Sequence, residues 1–168
     1  YVQAIEHYTQ SLDIHEEIGN NIGMASNLNN IGGIYQEQKE YVKALDYFTQ
    51  SLALRSDYGD KQGMADVLCN IGGVYQEKRD YKMALDYYSQ SLTLCKEINY
   101  KRVVAISLMN IGVIYAKQGD TLLALEQLGH SIKLNEELGN KPEIALVLIN
   151  LGNIYTDLHQ LKEAEDLI

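Results

Sequence analysis

The chain has 168 residues, 46% of them hydrophobic and only one a proline, the composition of a packed helical protein long enough to bury a core. With 14 Lys+Arg against 23 Asp+Glu, the formal charge is -9, which opposes binding to nucleic acid or to an anionic membrane, since both require a basic surface. Two cysteines, Cys69 and Cys95, are too few for a disulfide framework and have no Cys or His at metal-ligand spacing. A reducing, cytoplasmic setting with no metal and no cofactor is therefore expected.

Taken in chain order, the elements repeat with a period of about 40 residues. Tyr1-Val2-Gln3-Ala4-Ile5 opens a helix expected over 1–17, the second half of a repeat. Asn30-Ile31-Gly32-Gly33-Ile34-Tyr35 then returns as Asn70-Ile71-Gly72-Gly73-Val74-Tyr75, as Asn110-Ile111-Gly112-Val113-Ile114-Tyr115 and as Asn150-Leu151-Gly152-Asn153-Ile154-Tyr155. A second string follows each at fixed offset: Tyr41-Val42-Lys43-Ala44-Leu45, Tyr81-Lys82-Met83-Ala84-Leu85, Thr121-Leu122-Leu123-Ala124-Leu125 and Leu161-Lys162-Glu163-Ala164. Apolar and small residues fall at helical spacing, as in Ala25, Leu28, Gly32 and Tyr35 and again in Ala44, Phe48, Ser51 and Leu54. Each repeat is thus two amphipathic helices, first helices near 22–38, 62–78, 102–118 and 142–158, second helices near 1–17, 41–57, 81–97, 121–137 and from 161. Nine helical segments and no strand are predicted.

Between repeats, Gly19, Gly59 and Gly139 suit a left-handed C′ position, as does Asn99, while Asn20, Asp60 and Asn140 suit the next N-cap. Pro142 falls near a helix start, where its missing N–H costs little. The mid-helix glycines Gly32, Gly72, Gly112 and Gly152 each sacrifice about 1 kcal/mol against alanine, which close helix approach must offset. Ala44, Ala84, Ala124 and Ala164 serve the same contact. Ala25, Ala65, Ala105 and Ala145 are expected to approach the preceding second helix. No apolar run reaches the length of a membrane span. The start has neither a basic region nor an apolar one of the kind that targets secretion, and it lacks Met. With an apolar end at Leu167-Ile168, both termini read as cuts within a longer protein.

The positions Leu28, Ile31-Gly32, Tyr35, Ala44 and Phe48 resemble the tetratricopeptide repeat pattern of large residue, Leu-Gly, Tyr, Ala and aromatic, and the resemblance covers the whole chain. It departs in its longer period and in the missing proline that normally closes the second helix, replaced by Ser56, Lys96 and Glu136. Such 40-residue forms look like those of spindle-orientation adaptors and bacterial signalling proteins. The resemblance implies an all-α, right-handed α-solenoid of stacked antiparallel helix hairpins. That makes one array over 1–168: the second helix of a repeat in 1–20, repeats 21–60, 61–100 and 101–140, and a partial repeat 141–168. It also implies that first helices line a concave face.

With the packing positions removed, the inward stripe reads Ser26, Asn29, Asn30, Gly33, Gln36 and Glu37, then Asp66, Cys69, Asn70, Gly73, Gln76 and Glu77. It continues as Ile106, Met109, Asn110, Val113, Ala116 and Lys117, then as Leu146, Ile149, Asn150, Asn153, Thr156 and Asp157. The ladder Asn30, Asn70, Asn110 and Asn150 stands out, because each amide offers donors and an acceptor to the backbone of an extended peptide. In peptide-binding members of the resembled family, an asparagine here commonly does so. The alternative is that each asparagine bonds a neighbouring helix and fixes the stacking. Polar repeats one and two and apolar repeats three and four suggest a ligand with a basic or polar segment followed by an apolar anchor.

Catalysis finds little support. His7, His15, His130 and His159 fall in different repeats with no repeated acid, nucleophile or metal partner and read as solvated surface. Ser11, Ser51, Ser91 and Ser131 read as buried hydroxyls bonded to the preceding turn. Cys69 faces the groove without a cation to lower its pKa. Tyr35, Tyr75, Tyr115 and Tyr155 read as repeat-core residues, and Tyr47, Tyr87 and Tyr88 as packing or convex surface. The expected function is a non-enzymatic scaffold for a protein or peptide. The alternatives are a sensory segment of a multidomain signalling protein and an array that self-associates end to end through Ile5, Tyr8, Leu12 or Ile14 and the last hairpin.

Overall fold

The computed structural model describes the backbone of residues 1–165 and the side chains of residues 1–159. Among the described residues there are eight helices and no strand: α1 Val2–Glu17, α2 Asn21–Glu37, α3 Tyr41–Asp57, α4 Lys61–Glu77, α5 Tyr81–Glu97, α6 Lys101–Gln118, α7 Thr121–Glu137 and α8 Lys141–Glu165. They form two compact units, Tyr1–Tyr100 and Lys101–Ile168. The first holds α1 and the hairpins α2/α3 and α4/α5; the second holds the hairpin α6/α7 and α8.

The connections follow the chemistry of their residues. Gly19, Gly59, Asn99 and Gly139 have φ of 68°, 66°, 55° and 66°, closing the preceding helix in the left-handed region. Asn20 and Asp60 then accept from the backbone N–H of Gly23 and Gly63 at 2.9 and 3.0 Å, satisfying donors that the helix itself leaves unpaired. Inside the hairpins the same turn is made by Gly119 and, unexpectedly, by Lys39 and Arg79, both at φ 61°.

Each complete hairpin is closed by one recurring contact. A methyl built on Gly32 or Gly72 would stand 2.8 Å from the ring of Phe48 or Tyr88, and one on Gly112 would stand 2.8 Å from Leu128 Cγ. Only hydrogen fits there, which is the physical reason for glycine in mid-helix. Beside the notch, Ser51, Ser91 and Ser131 donate to the carbonyls of Ala25, Ala65 and Ala105 at 2.6, 2.8 and 2.8 Å, all fully buried. These bonds cross to the first helix of the same hairpin. They correct the expected bond to the preceding turn, and Ala25, Ala65 and Ala105 are themselves fully buried. Lys61 to Glu97 and Lys101 to Glu137, each 2.8 Å, tie the hairpins at the surface.

The fourth repeat departs from this plan. α8 runs without a break through residues 158–161, so the ninth segment expected from 161 is the continuation of α8. His159-Gln160 stands where Lys39-Glu40, Arg79-Asp80 and Gly119-Asp120 make the hairpin turn, with Lys39, Arg79 and Gly119 at positive φ. Ala145 and Gly152 are exposed, a methyl on Gly152 would meet nothing within 4 Å, and Tyr155 is 58% exposed. The packing roles expected for these three residues are therefore not realised in this structure: α7 packs against α8 through Val147 and Ile154, and no described helix lies against the face that carries Ala145 and Gly152. The side chains of Leu161 through Ala164, and the whole of Leu167-Ile168, lie outside the described residues.

Candidate binding surface

In the first unit, α2 and α4 are joined along their stripe by two side-chain bonds. Asn70 Nδ2 donates to Asn29 Oδ1 at 2.9 Å, and Gln36 Nε2 donates to Glu77 Oε1 at 2.6 Å. The Tyr41 hydroxyl also bonds Glu77, and desolvation together with that carboxylate's charge holds the phenol above its usual pKa. These ties frame an open cavity of about 450 Å³, lined by Asn29, Asn30, Gly33, Gln36, Glu37 and Asn70, with Tyr1 and, from α1, Ala4 and Tyr8 along one wall. Asn30 and Glu37 are exposed, and a side chain on Gly33 would meet nothing. Asn70 spends one N–H on Asn29 and keeps its carbonyl and second N–H.

Other members of the stripe are already engaged. The space over Gly73 holds Gln36 Nε2, 3.3 Å from the place of a Cβ. Gln76 accepts from the buried Tyr88 hydroxyl at 2.9 Å. Ser26 accepts from Arg55 Nη2 at 3.2 Å, and its equivalent Asp66 lies close enough to Cys95 for its charge to act on the thiol. Position 26/66 thus faces the second helix of its own hairpin, which corrects the placement of Ser26 and Asp66 in a groove. Cys69 is buried, and burial first, with the Asp66 charge behind it, pushes the Cys95 thiol up against a smaller opposing bond to Ser91.

In the second unit, Val113, Ala116, Lys117, Asn150, Asn153 and Asp157 come together, with Ile154, around a cavity of about 260 Å³ between α6 and α8. Asn110 is half-buried and does not line this cavity. Met109 does not belong to it: only 9% exposed, it packs with Ala124, Leu128, Val147 and Ile154 in the core of the unit. The expected apolar anchor is corrected accordingly, since Leu146 and Ile149 are exposed away from this lining and Met109 has no free surface to offer.

Tyr35, Tyr47, Tyr75 and Tyr87 are packing groups. Tyr35 stacks on Tyr47 and Tyr75 on Tyr87, both at 5.4 Å between ring centres, with Lys43 and Lys78 over the outer faces of Tyr35 and Tyr75. His15 is half-buried against Gly23, with its Nδ1 buried, and not fully solvated. Sequence reasoning missed an apolar cavity of about 560 Å³ between α3 and α5, floored by α4, with Leu52, Ala53, Met64, Leu68 and Leu94 in its lining. Its signal was available in the apolar second-helix positions that remain after the hairpin contact is assigned. Among the described residues no group of His, Cys, Asp and Glu could hold a metal ion, and no helix is long and apolar enough to cross a membrane.

Known proteins place this geometry in a family. The tetratricopeptide repeat model matches residues 1–57, 23–97 and 103–168, and the chain belongs to the tetratricopeptide repeat family. Solved structures share the fold at low identity. Aspartyl phosphate phosphatase F from Bacillus subtilis is 18% identical with a TM-score of 0.78, over 97% of this chain and 46% of that one. A Rap protein complexed with competence and sporulation factor is 20% identical with a TM-score of 0.79, over 97% and 48%. The repeats of a putative kinesin light chain from Podospora anserina are 15% identical with a TM-score of 0.67, over 98% and 82%. This chain therefore spans just under half the length of the first two. No curated protein sequence matches it.

Proposed function

We propose that the chain is a protein-interaction module that binds an extended peptide segment, through the first unit, along the α2–α4 stripe. The observation that carries this reading is the cavity in which Asn30, Gly33, Glu37 and Asn70 converge while the Asn70–Asn29 and Gln36–Glu77 bonds hold the two helices in register. Asn30 and Asn70 supply paired donors and acceptors for a peptide backbone, and Gly33 leaves room for that backbone to approach. The exposed carboxylates of Glu37 and Glu77 favour a ligand with a basic or polar segment there. The second unit contributes a smaller surface of mixed character, with Lys117 and Asp157 beside Asn150 and Asn153.

Selection from a random peptide library displayed on phage tests this. Selected peptides should be enriched in Lys or Arg, and Asn30→Ala with Asn70→Ala should weaken them more than tenfold with the helical content and melting temperature retained. Unchanged affinity in that folded double variant would refute the groove. A second reading, a regulatory array within a longer signalling protein, draws on the likeness to the Rap protein solved with its factor. It is tested by whether an activity of the full-length parent changes when the selected peptide is added.

A further inference from the structure

α3 and α5 stand apart over α4, with no pair of their Cα atoms within 8 Å, and the space between them is the apolar cavity of about 560 Å³. It lies inside the first unit and shares no lining residue with the α2–α4 cavity. Leu52, Met64, Leu68 and Leu94 form its apolar part, while Thr49 and Thr93 donate their hydroxyl protons to the carbonyls of Leu45 and Ser89 at 2.7 and 2.9 Å. No lining residue carries a charge. This is not a property of the repeat, because the register positions of Ala53 and Ser56 hold Asp13 and Glu16 one repeat earlier, and those of Gln90 and Thr93 hold His130 and Lys133 one repeat later. The surroundings, by contrast, are acidic. Asp46 on α3 and Asp86 on α5 are exposed and accept from Gln50 and Gln90 at 3.0 and 2.9 Å, and Asp57 is exposed next to Ser56. None of the three enters an ion pair among the described residues.

We infer that this groove receives the apolar face of an amphipathic helix from a partner protein, flanked by lysine or arginine. Its open side favours a macromolecule, since a small ligand lying there would stay largely wet, whereas sites for such ligands bury most of the ligand's surface. The dimensions favour a helix. Thr49 to Ser56 rises about 10 Å along α3, which is the span from i to i+7 on a partner helix whose side chains at i, i+3, i+4 and i+7 form one stripe. Thr49, Ala53, Ser56 and Thr93 are short, so the walls let that helix come close, and the unbranched Met64 adapts to what enters. Charge completes the match. The carboxylates of Asp46, Asp57 and Asp86 meet the partner's cations at the rim, where they govern orientation and rate of encounter more than affinity.

The test is selection from a phage library that displays a stable single helix with one face randomised, followed by calorimetry on the dominant clones. These should carry large apolar residues at i, i+3, i+4 and i+7 with Lys or Arg beside them. Ala53→Asp, which copies Asp13 at an exposed helical position, should weaken them at least tenfold with the melting temperature retained. Binding through charge alone would instead be tightened by the added carboxylate, and would overturn the inference. Ser56→Glu, which copies Glu16, is the second block and should act likewise. Asp46→Asn with Asp86→Asn should weaken binding a few-fold and flatten its dependence on salt. A library that yields no clone with the apolar stripe, or clones that bind Ala53→Asp as tightly as the wild type, overturns the inference. So does self-association in sedimentation that Ala53→Asp abolishes, which gives the groove to a second copy, or saturable binding of decanol there when no helix is selected, which gives it to a small apolar molecule. Asn30→Ala with Asn70→Ala should leave the selected helices unaffected, so failure here is separable from failure of the peptide reading.

Discussion

Gly72 and Gly152 occupy the same place in the same motif, yet one is sealed by the Tyr88 ring and the other opens to solvent. The difference lies in the neighbour: α5 lies against α4, and no described helix lies against the matching face of α8. It teaches that the repeat string encodes half of a contact. The glycine, the alanine carbonyl two turns before it and the large residue beside it become a core only when a second helix brings its ring and its serine.

The comparison can be broken most severely in the core that α6, α7 and α8 do share. Met109→Asp would strand a carboxylate among Ala124, Leu128, Val147 and Ile154, so it should cost more than about 4 kcal/mol and unfold the second unit. A thermal melt displaced by only a few degrees would show that Met109 is surface after all. The paired glycines come next, and they should move in opposite directions. Gly72→Ala forces the Tyr88 ring aside and should destabilise by about 1–3 kcal/mol. Gly152→Ala meets nothing and should stabilise by about 0.5–1 kcal/mol through helix propensity alone. Urea titrations in which both variants shifted the same way would contradict the notch account.

A smaller effect is expected from the serine bond. Ser91→Ala removes its donor to the Ala65 carbonyl and should cost about 0.5–1.5 kcal/mol, since that carbonyl keeps its helical partner. A pH titration gives the subtlest probe. The Cys95 thiol is held above its ordinary value of 9.0 chiefly by burial, so the unfolded chain loses its proton first as pH rises. The stability this group contributes should be full below pH 9 and fall as pH climbs through the folded-state value. Cys95→Ser, although it perturbs packing, should flatten that decline, and an unaltered slope in denaturant midpoints against pH would exclude the thiol as its source.

Much of the fold was legible because the determining residues are local. Gly19, Gly59, Asn99 and Gly139 take positive φ wherever the sequence calls for it, and Asn20 and Asp60 cap as their side chains allow. Lys39 and Arg79 were not legible as left-handed residues, since neither type favours that region; the short connection between antiparallel helices imposes it. The site was legible in part. Asn29, Asn30, Gly33, Gln36, Glu37 and Asn70 do converge, because their shared helical face is a property of spacing. Met109 and Asp66 escaped because they stand at the margins of the stripe, where only the neighbouring helix decides between groove and core. Val147 takes up Met109, and the hairpin partner α5 takes up Asp66.

The central claim, that ligand lies along α2 and α4, is tested most directly by following the side-chain amide resonances of a ¹⁵N-labelled chain as a selected peptide is added. The account predicts that the Nδ2 signals of Asn30 and Asn70 shift and saturate together with the backbone amide of Gly33, while Asn99 in the turn after α5 stays still. Shifts confined instead to Leu52, Ala53 and Leu94, around the apolar cavity between α3 and α5, would contradict it and move the binding surface to the opposite set of helices.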